Sequence, residues 1–432
     1  MSIRVGTTSR AITSYGGAPL LRETARAVGL EDAVEQCLHL KTRARGLSES
    51  QFVVGMAESI ALGARCLDDL AMTRADAAQS LLRGYEIPAP QTAGAWLRRF
   101  TLGHIGQLNK ALEIVQRNAI VASGATEVTL DFDSTYVFSR STRRQGVDRT
   151  YKRRYALHPM LCFEASSGVA VHARLRRGKS GPSSGIGTFV RETLRRVPPG
   201  VRVRSRLDSG FYSGALFEQL EKADVTYLCG VPLIPKLLEI CTQIGSECWA
   251  PCLDKEEGEV AEFGYRMLHG RAPFRRYVVK RIPLEEGKQL SFEGGTYRYW
   301  IFVTNDHERS AVALESEHRH KADVEAGMRE LKSNFGLHAF RKHGFMVNWA
   351  WLLLVCLGHN LCCWTQQLGS LGAGRRGGDL RAKRLRYRYL AIPAMVVRSG
   401  RRFTLRLHVD YPYLEQFIAA LTRLEVLRAP PL

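Results

Sequence analysis

No Cys-x-x-Cys pair occurs among the ten cysteines of this 432-residue chain, which argues against a zinc ribbon, a thioredoxin-like redox motif or a regular disulfide framework. Cys241, Cys248 and Cys252 cluster loosely, but their spacing matches no common zinc module. The N-terminal MSIRVGTTSR lacks the apolar core of a signal peptide, so a reducing cytoplasm is the expected setting. An uninterrupted membrane span is missing as well. The stretch 345–364 has nearly the length, but Asn348, His359 and Asn360 interrupt it and basic segments flank it. A buried helix of a large α/β core is expected there, with no membrane partner. Acid is scarce: Asp and Glu number 42 against 62 Lys and Arg, a net charge of +20. Such a surface attracts polyanions, and nucleic acid is the leading partner on charge, although ribosome-associated and membrane-surface proteins share the trait.

What is present is enough apolar sequence, 45% of residues, to bury the cores of two to four domains. Residues 1–120 read as mostly helical. LSESQFVVGMAESIALGA opens with a Ser cap and places Phe52, Met56 and Ile60 on one helix face. APQTAGAWLRRF gives a Pro-led turn and a helix bearing Trp96, Arg98, Arg99 and Phe100. That helix reads equally as the second of a DNA-reading pair or as an ordinary amphipathic helix with a solvated basic face. No catalytic cluster appears in this part.

From Glu127 the pattern turns to strands in EVTLDFDSTYV, HPMLCFEASSG and VAVHARLRRG. A helix, a strand ending at Asp208, another helix and another strand follow, so the order over 121–231 is β-β-β-α-β-α-β. Residues 232–306 return to β-like runs and read as an inserted β subdomain. Helix resumes near Ala311, and 307–370 holds a charged helix and the apolar one. Residues 371–432 begin with a Gly-rich linker and a basic run in which Arg384 and Arg386 stand beside Tyr387 and Tyr389. Dense positive charge with interleaved aromatics suits a phosphate backbone.

Three acidic positions stand out by location. Asp133 and Asp208 close the first and fourth strands, where carboxylates converge above adjacent strands. Glu325 lies on the helix after the insertion, where Val324, Met328, Leu331 and Phe335 define the buried stripe. Lys321, Glu325, Arg329 and Lys332 share the neighbouring face, an arrangement that a solvated helix with weak charge pairs would also give. Asp131 and Asp133 are two apart and point to one face of a strand, so spacing does not choose between them. Three carboxylates suit phosphodiester cleavage, because two divalent cations about 4 Å apart activate the attacking oxygen and neutralise the leaving one. Mg²⁺ prefers hard oxygen ligands, so Asp and Glu suffice.

The segments LDFDSTYV, SRLDSGFYSGALFEQLE and HRHKADVEAGMRELK, in this order, resemble the three catalytic motifs of the DDE transposases of bacterial insertion sequences. The likeness is to the group with a β insertion before its catalytic Glu. That group carries a Tyr–Arg–Glu–Lys signature, for which this chain has His318, Lys321, Glu325 and Lys332. His for Tyr and Lys for Arg keep polarity and charge, yet Lys cannot make the two-pronged phosphate contact of Arg. The resemblance spans about 121–410 and is weaker before it.

The resemblance implies an α/β fold: an RNase H-like mixed sheet flanked by helices, an inserted β subdomain and a helical N-terminal DNA-binding domain. It selects Asp133 over Asp131, giving a triad of Asp133, Asp208 and Glu325 that holds two Mg²⁺ ions, with Mn²⁺ a possible substitute. It implies metal-dependent cleavage at inverted-repeat ends and strand transfer into target DNA, a homodimer in the synaptic complex and a cytoplasmic, nucleoid-associated setting. Expected DNA contacts are His318, Lys321, Arg329, Lys332, Arg384, Arg386 and Trp300. Trp300 would stack on a flipped base, with Tyr297 or Tyr299 as substitutes, although on an alternating strand it also reads as core. The rival readings are an inactive transposase-derived DNA-binding protein and an RNase H-like nuclease.

Overall fold

The computed structural model describes residues 3–43, 45–253, 257–267, 272–284, 297–319, 322–340, 342–371 and 381–427. A short strand, β1 (Ile12–Thr13), precedes seven helices that carry apolar residues at helical spacing. They are α1 (Ala18–Ala27), α2 (Leu30–Cys37), α3 (Glu49–Leu62), α4 (Leu70–Arg74), α5 (Ala77–Arg83), α6 (Pro90–Leu97) and α7 (Leu102–Ser123). Ser48 starts α3 through a capping box: its hydroxyl accepts from the Gln51 amide, and the Gln51 side chain accepts from the Ser48 amide.

Alternation of apolar residues then gives β2 (Glu127–Ser134), β6 (Met160–Glu164) and β7 (Ala170–Arg174), an antiparallel meander. The expected first strand stops at Ser134. Val137 belongs to a separate small sheet of β3 (Val137–Phe138), β4 (Asp148–Arg149) and β5 (Tyr155–Leu157), paired β3-β5-β4. After β7 come α8 (Ile186–Leu194), β8 (Arg202–Leu207), α9 (Gly214–Lys222) and β9 (Thr226–Val231). Strands β2, β8 and β9 run parallel.

The insertion is continuous with this sheet. After α10 (Pro235–Gln243) it contributes β10 (Ala250–Pro251), β11 (Glu259–Arg266), β12 (Phe274–Pro283) and β13 (Tyr297–Thr304), and β13 pairs antiparallel with β9. Among the described residues the sheet has the order β10-β11-β12-β13-β9-β8-β2-β6-β7. The unpaired backbone edge of β9 accepts the insertion strand by strand, which blunts an exposed edge.

Each face of the sheet has its own core. Leu130, Phe132, Met160 and Cys162 point towards α8 and α9. Leu161 and Phe163 point the other way, into a core shared by the N-terminal helices, α12 (Ala322–Asn334) and α13 (Phe345–Gly369). The charged segment read as a single helix is two, α11 (Ala311–Arg319) and α12, on either side of residues outside the described set.

Helix α13 has the length and apolarity of a membrane span, yet 83% of that window is buried within the protein. Its polar interruptions serve the fold. Asn360 donates to the Ala170 carbonyl and accepts from the Ala170 amide, both at 2.8 Å, closing backbone groups on edge strand β7. The Asn348 side chain donates to the Lys342 carbonyl at 2.9 Å.

The C-terminal region adds α14 (Ala382–Leu385), β14 (Ala394–Ser399), β15 (Arg402–Arg406) and α15 (Leu414–Val426). Strand β14 pairs with β1, and α15 packs on α1 and α13, so the two ends of the described chain meet. The Gly-rich linker at 372–380 lies outside the described residues.

Candidate active site

The site is set by register. On the parallel pair β2–β8, Asp131 lies opposite Arg206. Two residues further along each chain stand Asp133, still on β2, and Asp208, just past the end of β8, so both aspartates lie at the carboxyl ends of neighbouring strands whose axes are about 4.8 Å apart. Asp208 remains extended at φ −78° and ψ 161° before a turn of 3₁₀ helix at Ser209–Phe211. Side chains alternate along a strand, so Asp131, Asp133 and Arg206 share a face.

The inner level is closed to solvent. Asp131 is fully buried, and Arg206 Nε and Nη2 each donate to one of its carboxylate oxygens at 2.6 Å. The third arm, Nη1, donates to the Glu317 carbonyl of α11 at 3.1 Å. The choice that spacing left open therefore has a physical counterpart: Asp131 is neutralised by a bidentate partner. Asp133 is half-buried and accepts from the Ser134 amide at 2.6 Å, while Asp208 is exposed.

Helix α12 lies across the same face. A Cβ at Gly327 would come within 3.2 Å of the Phe163 ring on β6, so glycine permits this close approach of helix to sheet. Met328, Leu331 and Phe335 form the buried stripe, and the Val324 side chain lies outside the described set. Lys332 Nζ donates to Thr135 Oγ1, just beyond β2. Burial pulls the Lys332 ammonium below its ordinary value, and the negative Asp133 opposes that shift. Glu325 is exposed on α12, two turns before Lys332, or about 10 Å along the axis. Among the described residues no three His, Cys, Asp or Glu side chains are grouped to hold a metal ion. The two aspartates close neighbouring strands, and Glu325 stands on its own helix.

Around this level sits a neutral histidine that sequence reading missed. Burial, with Arg176 nearby, pulls His158 down to about 4. Its Nδ1 faces the Ser180 carbonyl at 2.8 Å and Nε2 faces Ser134 Oγ at 3.0 Å. A carbonyl only accepts, so Nδ1 carries the proton and the Ser134 hydroxyl donates to Nε2. His-Pro at 158–159, directly before β6, was the available signal.

The other expected residues divide. Trp300 is half-buried on β13, its side chain on the face of Leu228 and Phe302, which register carries across to Arg206 and Asp131. The Arg298 guanidinium lies 4.6 Å from the Trp300 ring centre. Tyr297 and Tyr299 alternate to the opposite face, and Tyr299 packs against the core on that face. His318 packs on Phe302 with ring centres 4.1 Å apart, and Arg329 is exposed. Lys321 lies outside the described residues.

Arg384 is exposed, but the DNA contact expected of Arg386 needs correction. Its guanidinium donates to the carbonyls of Ala61 at 2.6 Å, Ile60 at 2.9 Å and Asn334 at 3.1 Å, and lies over the Phe335 ring. These are last-turn carbonyls of α3 and α12, of which Ile60 also accepts from the Gly63 amide at 3.1 Å. On and just after α6 the aromatic and basic residues separate. Trp96 and Phe100 are buried, and the Trp96 indole donates to Glu49 at 2.7 Å, while Arg98 and Arg99 are exposed. Cys241 and Cys252 belong to cores on opposite faces of the sheet, which separates the loose cysteine cluster.

A family model described as transposase DDE domain, group 1, matches residues 1–429. No curated protein matches the sequence. Among solved structures, the chain is similar to a piggyBac transposase in a synaptic complex with hairpin DNA, determined by cryo-electron microscopy. The identity is 12% and the TM-score 0.45, over 88% of this chain and 81% of that one. Matched over nearly its whole length, the chain belongs to the transposase DDE domain group 1 family and is a DDE transposase.

Proposed function

We propose that this transposase works by cut-and-paste: it binds the inverted-repeat ends of an insertion sequence, cleaves them and joins the freed ends to target DNA. The observation that carries this reading is the placement of Asp133 on β2 and Asp208 just past β8, each two residues beyond the paired Asp131 and Arg206, beside the helix that bears Glu325 and Lys332. In the first step a water oxygen bonds to the scissile phosphorus, and the 3′-oxygen departs as a hydroxyl. In the second, that 3′-hydroxyl attacks another phosphodiester, forming one P–O bond as another breaks. Attack on the opposite strand gives a hairpin, which is reopened before joining.

The donor set is chemically suited to hard divalent cations, since Asp133, Asp208 and Glu325 all offer carboxylate oxygens. They would hold Mg²⁺, or Mn²⁺ in its place, two ions per site, and such ions supply charge neutralisation at the attacking and leaving oxygens. Lys332 orients a phosphate near Asp133, and Trp300 stacks on a base flipped out beside the cut, with His318 supporting the same face. Arg329 and Lys321 add phosphate contacts along α12 and before it. End recognition falls to the helices of 1–120 and to the basic region 371–432 through Arg384. Two protomers pair the two ends in a bacterial cytoplasm.

The test is to incubate the purified protein with the inverted repeats flanking its gene and Mg²⁺, then map the products. Nicks that leave a 3′-hydroxyl at the element end, followed by hairpins or joined product, are expected. Binding without any cleavage in Mg²⁺ or Mn²⁺ overturns the reading.

A further inference from the structure

Between Asp133 and β6 the chain makes a finger, residues 136–155, built on the small sheet β3-β5-β4. The finger has one acidic residue, Asp148, against six exposed cations: Arg140, Arg143, Arg149, Lys152, Arg153 and Arg154. Asp148 is itself engaged by Arg177 at 3.1 Å. The hairpin of β4 and β5 turns through Thr150–Arg154, where Arg153 takes φ 57° and the Thr150 amide donates to the Arg154 carbonyl at 2.8 Å. A non-glycine residue in that region carries strain and belongs to a turn held firmly by its surroundings.

The base of the finger is anchored. A Cβ at Gly178 would lie 2.0 Å from the Ala156 carbonyl oxygen, so the turn after β7 presses directly on β5. The Gln145 amide donates to the His343 carbonyl at 2.9 Å, and the Phe345 amide donates to the Gln145 side chain at 3.1 Å, tying the finger to the start of α13.

On this fixed base the aromatic side chains form a row that begins beside Asp133. His158, bonded to Ser134, stacks on Tyr136 with ring centres 4.1 Å apart. Tyr136 lies 6.0 Å from Tyr151 and 6.2 Å from Phe138. Tyr151 is 77% exposed at the hairpin tip, and Lys152 sits over its ring. Neither solubility nor core packing accounts for an exposed tyrosine at the end of an ordered aromatic row. Aromatic faces interleaved with cations are how proteins hold unpaired nucleotides: bases stack on the rings and phosphates meet the charges.

We infer that the 136–155 finger is a platform for unpaired DNA, receiving the nucleotides next to the phosphate held at Asp133, with Tyr151 and Tyr136 stacking on bases and the tip cations contacting the backbone. The inference rests on the proposed DNA cleavage at Asp133 and Asp208. Trp300 lies beyond β8 and β9 on the other side of that level, so the two platforms flank the cut from opposite sides.

The experiment measures binding of the full chain by fluorescence anisotropy to two probes of unrelated sequence. One is a blunt duplex; the other is the same duplex with a single-stranded oligothymidine overhang. The wild type is expected to favour the overhang, and Tyr151→Ala to remove that preference by about 5- to 150-fold, the range for loss of one stacked base. Tyr151→Phe, which keeps the ring, should restore it. Lys152→Ala should weaken the overhang probe more than the blunt duplex and reduce the salt slope of overhang binding by about 0.7. A wild type that binds both probes equally, or a Tyr151→Ala protein with its overhang preference intact, overturns the platform and leaves the transposition reading standing. A wild type that binds neither probe overturns the proposed DNA function itself.

Discussion

Two levels of the same strand pair, two residues apart, receive opposite treatment. At the inner level Asp131 and Arg206 are buried and joined by two hydrogen bonds of 2.6 Å. At the outer level Asp133 is half-buried and Asp208 exposed, with Lys332 approaching from α12 through Thr135. The inner pair neutralises charge inside the protein and ties β2 and β8 to α11 through Glu317. The outer pair keeps its carboxylates at least partly in contact with solvent. One periodicity thus yields a buried, ion-paired rung and a rung that reaches solvent, and burial with a bidentate partner marks the difference. The basic C-terminal region repeats the contrast, with Arg386 bonded to helix ends and Arg384 left to solvent.

The largest effects should separate the rungs. Asp133→Asn or Asp208→Asn is expected to lower end cleavage by at least on the order of a thousandfold, while urea unfolding stays close to wild type and end binding persists. A variant at either position that cleaves at the wild-type rate removes that residue from the chemistry. Arg206→Met acts on the inner rung and leaves the Asp131 charge buried without its partner, which costs about 3–5 kcal/mol of stability. Asp131→Leu combined with Arg206→Met should recover much of that loss, because replacing a buried pair by apolar groups is often nearly neutral. If Arg206→Met left stability unchanged, the division between rungs would collapse.

The sequence made the outer rung visible and the inner one ambiguous for a physical reason. Strand periodicity puts Asp131 and Asp133 on one face, but the partner that distinguishes them is Arg206, 75 residues away. The order of core strands and helices, the Ser48 cap and the buried helix at 345–369 were legible because each depends on local spacing. The union of the insertion with the core sheet was not, since β13 pairs with β9 through backbone groups common to every residue type. The finger escaped notice because strands of two or three residues are too short to show a period. The role of Arg386 was hidden because its acceptors, last-turn carbonyls of α3 and α12, leave no mark in a basic run.

A smaller effect concerns pH. His158 takes up its second, charging proton only near pH 4 in the folded protein, against about 6.5 for a free imidazole. Between those values the unfolded chain binds the extra proton, so stability should be level above pH 6.5 and fall by up to about 3 kcal/mol as the pH drops to 4. Burial pulls His172 in the same direction, so His158→Gln should flatten only part of the slope. Urea midpoints across this window check it. A His158→Gln protein with the full wild-type slope would assign the whole effect to other groups and detach His158 from the outer rung.

The smallest expected effect tests whether the contrast extends beyond the sheet. Arg386 offers hydrogens to carbonyls that end α3 and α12, and those acceptors are partly shielded from water. Arg386→Met should keep much of the apolar contact with Phe335 while removing these bonds, a loss of about 1–3 kcal/mol, with DNA affinity and salt slope unchanged. Arg384→Ala should do the reverse, leaving the urea midpoint in place and reducing the salt slope of DNA binding by about 1. Two arginines of one run would then differ because the last turns of two helices lie within reach of only one of them. A salt slope lowered by Arg386→Met and untouched by Arg384→Ala would reverse that division and return Arg386 to the DNA surface.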